Sequence, residues 1–262
     1  MSAKIYTFFN QKGGVGKTTT TYLQADAANS KGLKTLLIDT DPQGNLTKST
    51  SQEPLPADTA GLADVLTSRA DTTAQEVITP TIWENVDLIP TPSRALDLVR
   101  DELLVTPTGR ENRLKKAIKP LLDEYDLILI DCPPSIDMLT INALVASQGL
   151  IIITQAALWS VDGIAELMQT VQAVQENYNE NLRIEGVVVN QFIKNTNSAR
   201  HWLSDLEEAA NSQGMKLFYP PMPQAVRIKE ITESSSSLQE VSNDELARIQ
   251  RVYLEKLIGE EI

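Results

Sequence analysis

Asn10-Gln11-Lys12-Gly13-Gly14-Val15-Gly16-Lys17-Thr18-Thr19 is preceded by Ile5-Tyr6-Thr7-Phe8-Phe9 and followed by Thr20 to Ser30. The preceding run is β-branched and aromatic and predicts a buried strand. The apolar residues of the following stretch suit a packed helix. Strand, glycine loop, helix is the context of a phosphate-binding loop. Glycines let the backbone curl so that successive N–H groups face an anion, here from Gly13, Gly14, Val15, Gly16 and Thr19. The helix N-terminus adds partial positive charge and free N–H groups. Lys17 is placed to reach the β- and γ-phosphates, and the Thr18 hydroxyl to ligate Mg²⁺.

Two acidic strand ends work outward from this loop. Thr35-Leu36-Leu37-Ile38 runs into Asp39-Thr40-Asp41-Pro42-Gln43-Gly44-Asn45. In open α/β sheets ligands bind at the carboxyl ends of parallel strands. Pro42 and Gly44 predict a turn, so Asp39 and Asp41 take different roles. Leu127-Ile128-Leu129-Ile130 is aliphatic throughout, as a strand buried on both faces requires. It ends in Asp131-Cys132-Pro133-Pro134-Ser135, with Asp131 at the Walker B position, where a carboxylate holds Mg²⁺ directly or through water. Cys132 reads as a small packing residue, since no histidine is near it in sequence.

At 262 residues the chain is long enough for one large α/β domain. No stretch of about 18 apolar residues is present, so no membrane-spanning helix is expected. A single cysteine excludes an intramolecular disulfide or a cysteine-rich metal site. The net charge of −12 means that any DNA contact must come from a local basic patch and weaken steeply with salt.

The remaining segments give the frame. Residues 46–60 are polar, contain two prolines and read as a mobile surface loop. Short helix is predicted over 61–66, strand over 86–90, and helix over 94–104, 112–125 and 138–147. Central strands follow at 149–154 and 184–190, with helices at 164–178 and 198–213. The basic residues Arg113, Lys115, Lys116 and Lys119 read as a solvated helix face. His201 has no partner in sequence and is assigned no chemistry. Leu246, Ile249, Tyr253 and Leu257 fall at helical spacing and predict a terminal helix docked on the core.

The loop departs from G-x-x-x-x-G-K-[ST]: Gln11 stands where the first glycine would fall, and Lys12 appears instead. Lys-Gly-Gly-x-Gly-Lys-Thr resembles the deviant Walker loop of the ParA/MinD family of ATPases. Asp39 to Asn45 is close to the second motif of the ParA branch, and Asp-Cys-Pro-Pro-Ser matches its switch segment. The resemblance covers nearly the whole chain. It implies a single doubly wound α/β domain over residues 1–262, with a mostly parallel sheet flanked by helices, and without the N-terminal helix-turn-helix of larger plasmid members. It implies ATP and Mg²⁺ as ligands and an ATP-dependent homodimer in which Lys12 crosses to the partner's phosphates. Asp41 is implied to orient the attacking water and Asp39 to support the Mg²⁺ shell. Asn190 falls where members contact adenine, and Leu217 to Pro223, with Pro221, where they close over the base. Arg227 and Lys229 lie where members contact DNA non-specifically; a surface loop is the plain alternative there. A ParB-class partner and a cytoplasmic, nucleoid-associated location follow from the same resemblance.

Departures accompany it. Ala157 replaces the family's usual glutamate, Leu158 an aromatic residue and Gln224 an arginine, and serines occupy 234–237. A cargo other than DNA, a MinD-like membrane regulator, an amide-forming or carboxylating ligase and a non-hydrolysing switch are the competing expectations. The acidic end Gly259-Glu260-Glu261 opposes stable membrane association.

Overall fold

The computed structural model describes residues 2–155, 161–194, 197–239 and 244–259, and the side chains within these ranges except those of 161–166 and 197–199. Eight strands form one sheet: β1 (Lys4–Phe9), β2 (Thr35–Asp39), β3 (Thr79–Pro80), β4 (Val86–Ile89), β5 (Leu127–Asp131), β6 (Gly149–Gln155), β7 (Arg183–Asn190) and β8 (Leu217–Phe218). Their spatial order is β3-β4-β2-β5-β1-β6-β7-β8. Only β3 runs antiparallel to its neighbour. The chain passes from β5 on one side of β1 to β6 on the other. That reversal opens a crevice at the carboxyl ends of the strands.

Strand alternation sorts the core into two layers. Ile128 and Ile130 face one, Leu127 and Leu129 the other. The first layer is closed by α3 (Leu62–Leu66), α4 (Ala95–Val105), α5 (Arg113–Ile118), α6 (Met138–Ala146) and α7 (Val161–Asn177). The second is closed by α1 (Lys17–Ser30), α9 (Val226–Glu233) and α10 (Glu245–Ile258). Leu246, Ile249, Tyr253 and Leu257 of α10 are buried, as their spacing predicts. Asp26, buried on α1, accepts from Ser237 Oγ (2.6 Å), Leu238 N (2.8 Å) and Gln239 N (3.2 Å), and so ties down the approach to α10.

Two expectations are corrected. The polar stretch 46–60 begins as a helix, α2 (Asn45–Thr50), with Leu46 and Thr50 fully buried. Hydroxyls support it from within: Thr50 Oγ1 donates to Leu46 O at 2.8 Å and Ser51 Oγ to Thr47 O at 2.7 Å. The helix expected over 112–125 is α5 followed by a tight 3₁₀ turn at Lys119–Leu121. Pro120 supplies no N–H and ends the α-helical ladder. Lys115, Lys116 and Lys119 are exposed there, while Leu114, Ile118 and Leu121 are buried. Another helix, α8 (Asn197–Ser212), lies between β7 and β8 in sequence.

Candidate functional site

The glycine loop leaves β1 at the middle of the sheet and feeds directly into α1. Asn10 fixes its entrance. Its Nδ2 donates to Ile153 O of β6 at 2.7 Å, and its Oδ1 accepts Lys12 N at 3.0 Å. Gly14 and Gly16 have φ of 74° and 93°, a region costly for other residues. A Cβ on Gly13 or Gly14 would meet nothing within 4 Å, so this side of the loop is an open cradle. A Cβ on Gly16 would lie 2.1 Å from Asn190 Nδ2.

Lys17 is buried at 7% exposure and donates from Nζ to Lys12 O at 3.2 Å, spanning the loop. Burial pushes its pKa down, and the negative charges of Asp131 and Asp41 oppose that shift. Thr18 Oγ1 donates to Asp131 Oδ2 at 2.6 Å. The register that sets Phe8 and Asp39 on either side of Asp131 makes this meeting a property of the sheet.

Asp131 is fully buried, and its Oδ1 finds no hydrogen-bond partner among the described residues. Burial, with Asp39 beside it, pushes its pKa well above the usual carboxylate range. An unpartnered buried carboxylate oxygen is costly unless a cation or donor comes to it. With the adjacent Thr18 hydroxyl it offers hard oxygen donors of the kind Mg²⁺ takes. Among the described residues no group of three or more His, Cys, Asp or Glu forms a metal cage. Mg²⁺ binds through one or two carboxylates together with phosphates.

Asp39 differs from its neighbour. Its Oδ2 accepts Thr47 N (2.8 Å) and Thr47 Oγ1 (2.7 Å), and its Oδ1 accepts Asp41 N (3.2 Å). Burial pushes its pKa up to about 7 against those hydrogen bonds. Both oxygens serve the chain, so Asp39 shapes the turn that carries Asp41. Asp41 is 8% exposed, and its Oδ1 accepts Gln43 N at 2.9 Å. Thr91 closes this corner, donating from Oγ1 to Asp39 O at 2.6 Å. Cys132 is buried, with Thr40 Oγ1 at 3.6 Å from its Sγ, a packed position.

The other side of the loop is lined by amides. Asn190, expected at a base, donates from Nδ2 to Val15 O at 2.9 Å, and its Oδ1 accepts Gln191 N at 2.9 Å. The side chain therefore braces the loop. Gln155 and Gln191 each donate from Nε2 to Gly14 O at 3.2 Å. Pro221 is half-buried in a segment that runs along the end of β7, where Met222 N donates to Val189 O at 2.8 Å.

Arg227 and Lys229 lie on α9, a helix and not a loop. Arg227 pairs with Asp244, whose other oxygen caps α10 by accepting Leu246 N. Lys229 Nζ lies 3.5 Å from Glu233 one turn on, both exposed. The guanidinium is thus committed to holding α9 to α10, while an exposed i,i+4 pair is weak and easily exchanged. Ala157 and Leu158 lie outside the described residues.

Sequence reasoning missed Thr47, Thr91, Asn10, Gln155 and Gln191 as parts of the site. Asn10 lay inside the quoted motif; the others are joined to the site only by folding.

An AAA domain family model matches residues 3–184. The sporulation initiation inhibitor protein Soj of Bacillus subtilis is 36% identical over 253 residues, covering 96% of each chain. The chromosome partitioning protein ParA of Myxococcus xanthus is 35% identical over 231 residues, covering 87% of this chain and 77% of that protein. Cobyrinic acid a,c-diamide synthase from Mycobacterium smegmatis, solved with an ATP analogue and magnesium, superposes with a TM-score of 0.82 at 28% identity, covering 97% and 93% of the chains. A McdA–ATP complex from Cyanothece superposes at 0.87 with 21% identity over 100% and 98%, a likeness of fold. With the deviant loop, the Thr18–Asp131 pair and Soj-like sequence over nearly its full length, the chain belongs to the ParA/Soj family of P-loop ATPases.

Proposed function

We propose that this chain is a partition ATPase: it hydrolyses Mg²⁺-bound ATP, dimerises on ATP, binds DNA non-specifically and moves a plasmid or chromosome with a ParB-class partner. The single observation behind the hydrolytic site is Asp131 Oδ1, buried and unpartnered beside the Thr18 hydroxyl. Thr18 and Asp131 would hold Mg²⁺, with Asp39 supporting them through the turn. Mg²⁺, when bound, neutralises charge on the transferred phosphoryl group.

The chain's own residues do the rest. Lys17 exchanges the Lys12 carbonyl for phosphate oxygens, a change from a neutral acceptor to an anionic one that strengthens the hydrogen bond. The backbone N–H groups of the open glycine cradle bind the remaining oxygens. Asp41, held by Gln43 N–H, orients the attacking water. Lys12 reaches the partner's phosphates across the dimer. The Asp41→Ala variant should bind ATP like wild type and lose partner-stimulated phosphate release; unchanged release refutes the role of Asp41.

DNA binding has to overcome a net charge of −12 per chain. Duplex binding is expected with ATP, absent with ADP, and lost steeply with salt. Absent binding, with ATP-driven dimerisation intact, would shift the track from DNA to a protein or membrane surface. A membrane track is disfavoured, because the apolar residues of α10 are buried and no helix of the described residues is long and apolar enough to cross a bilayer. ATP-driven amide formation is the second reading, favoured by the 28%-identical synthase. Phosphate release without any carboxylic acid substrate separates the two.

A further inference from the structure

We propose that Gln155 and Gln191 are positioning residues that hold the phosphate-binding loop in its anion-receiving form by gripping one outward carbonyl. The inference rests on the nucleotide-site reading above. In a trans peptide unit the C=O and N–H point in opposite directions. Fixing Gly14 O therefore fixes the direction of Val15 N–H, and fixing Val15 O fixes Gly16 N–H. Glycines at positive φ make this loop easy to turn over. A turned unit would aim a carbonyl at the phosphate, where a donor is needed.

The chain opposes that with side-chain amides. Gly14 O accepts Gln155 Nε2 and Gln191 Nε2, each at 3.2 Å. Gln155 Nε2 also lies 2.6 Å from Gln191 Oε1, so the two amides orient one another. Val15 O accepts Asn190 Nδ2 at 2.9 Å. The sheet supplies the geometry: Gln155 ends β6 and is in register with Asn190, which ends β7. Gln191 adopts φ of 55°. A side chain is disfavoured there, and glycine would relieve the backbone. Glutamine at this position brings only its amide, and that amide is on the loop.

Binding of a fluorescent Mg²⁺-ATP analogue, ATP turnover and the melting temperature of the nucleotide-free protein would be compared for wild type, Gln191→Gly, Gln155→Ala and the double variant. Gln191→Gly should melt no lower than wild type, because strain is relieved, yet bind nucleotide about three- to tenfold more weakly. Gln155→Ala should weaken binding similarly. The double variant should lose less than the product of the single losses, since each amide orients the other and losing one already loosens both. A merely structural role predicts lower melting temperatures with unchanged affinity, and that result overturns the proposal. So does wild-type affinity in both single variants. A wild-type protein that binds no nucleotide overturns the site reading itself, which is a distinguishable result.

Discussion

The two sides of the phosphate-binding loop are built from opposite chemistry. On the β2 and β5 side, Asp39, Asp41 and Asp131 are buried together, Asp131 and Asp41 act on Lys17, and one Asp131 oxygen is left without a partner. On the β6 and β7 side, Asn10, Gln155, Asn190 and Gln191 make neutral, paired contacts with the loop or its neighbouring strand. The charged side carries an uncompensated demand that a ligand can answer. The neutral side asks nothing of a ligand and serves to hold shape. Removing the unanswered charge should therefore raise stability while costing function, whereas crowding the loop against its brace should cost both.

The Asp131→Asn variant tests the charged side and should have the largest effect. It keeps volume and the Thr18 contact but removes a buried charge that Thr18 and Lys17 compensate only in part. At pH 8 without Mg²⁺ its melting temperature should rise, while Mg²⁺-dependent ATP turnover falls by about a hundredfold or more. A lower melting temperature together with retained turnover would erase the contrast. Gly16→Ala tests the neutral side. The new Cβ would press on Asn190 Nδ2 at 2.1 Å, at φ of 93°. Stability and ATP affinity should fall together, by roughly 1–3 kcal/mol in each. Thermal melts and nucleotide titration on the same sample check this.

The smallest expected effect comes from outside the site. Glu102 accepts Ser68 Oγ, Ser68 N and Thr67 Oγ1, much as Asp39 accepts from Thr47, yet its pKa is pushed down to about 2. Asp39 goes the other way because burial outweighs its hydrogen bonds. A lowered carboxylate pKa stabilises the fold above the unfolded value of about 4.3, and that contribution is lost as pH falls through the folded value. Glu102→Gln should therefore lower the melting temperature by on the order of 2 °C at pH 7. The gap should narrow below pH ~4. A gap constant with pH would remove the carboxylate charge from the explanation.

What could be read before folding follows from the same contrast. Lys17, Thr18, Asp39 and Asp131 are legible because strand ends and a glycine loop mark them locally, and parallel register then aligns them. Gln155 and Gln191 carry no such mark, since their partner Gly14 lies 141 and 177 residues away. Helix α2 escaped because Asn45-Leu46-Thr47-Lys48-Ser49-Thr50 has one strong apolar residue and is held by its own hydroxyls. Arg227 resembles a free cation in sequence, yet Asp244, 17 residues on, takes it.

The strand that carries the loop is fastened to the last described helix. Lys4 Nζ donates to Ile258 O and Tyr6 Oη to Leu257 O, across separations of 254 and 251 residues. Contacts of such span form slowly, because the chain must surrender loop entropy before they repay it. Until α10 docks, the face of α1 turned toward it is uncovered, and the loop at the N-terminus of α1 is braced from the strand ends alone. Competence to bind nucleotide should thus appear late in refolding, making bound ATP a reporter of completed tertiary structure and not of early collapse.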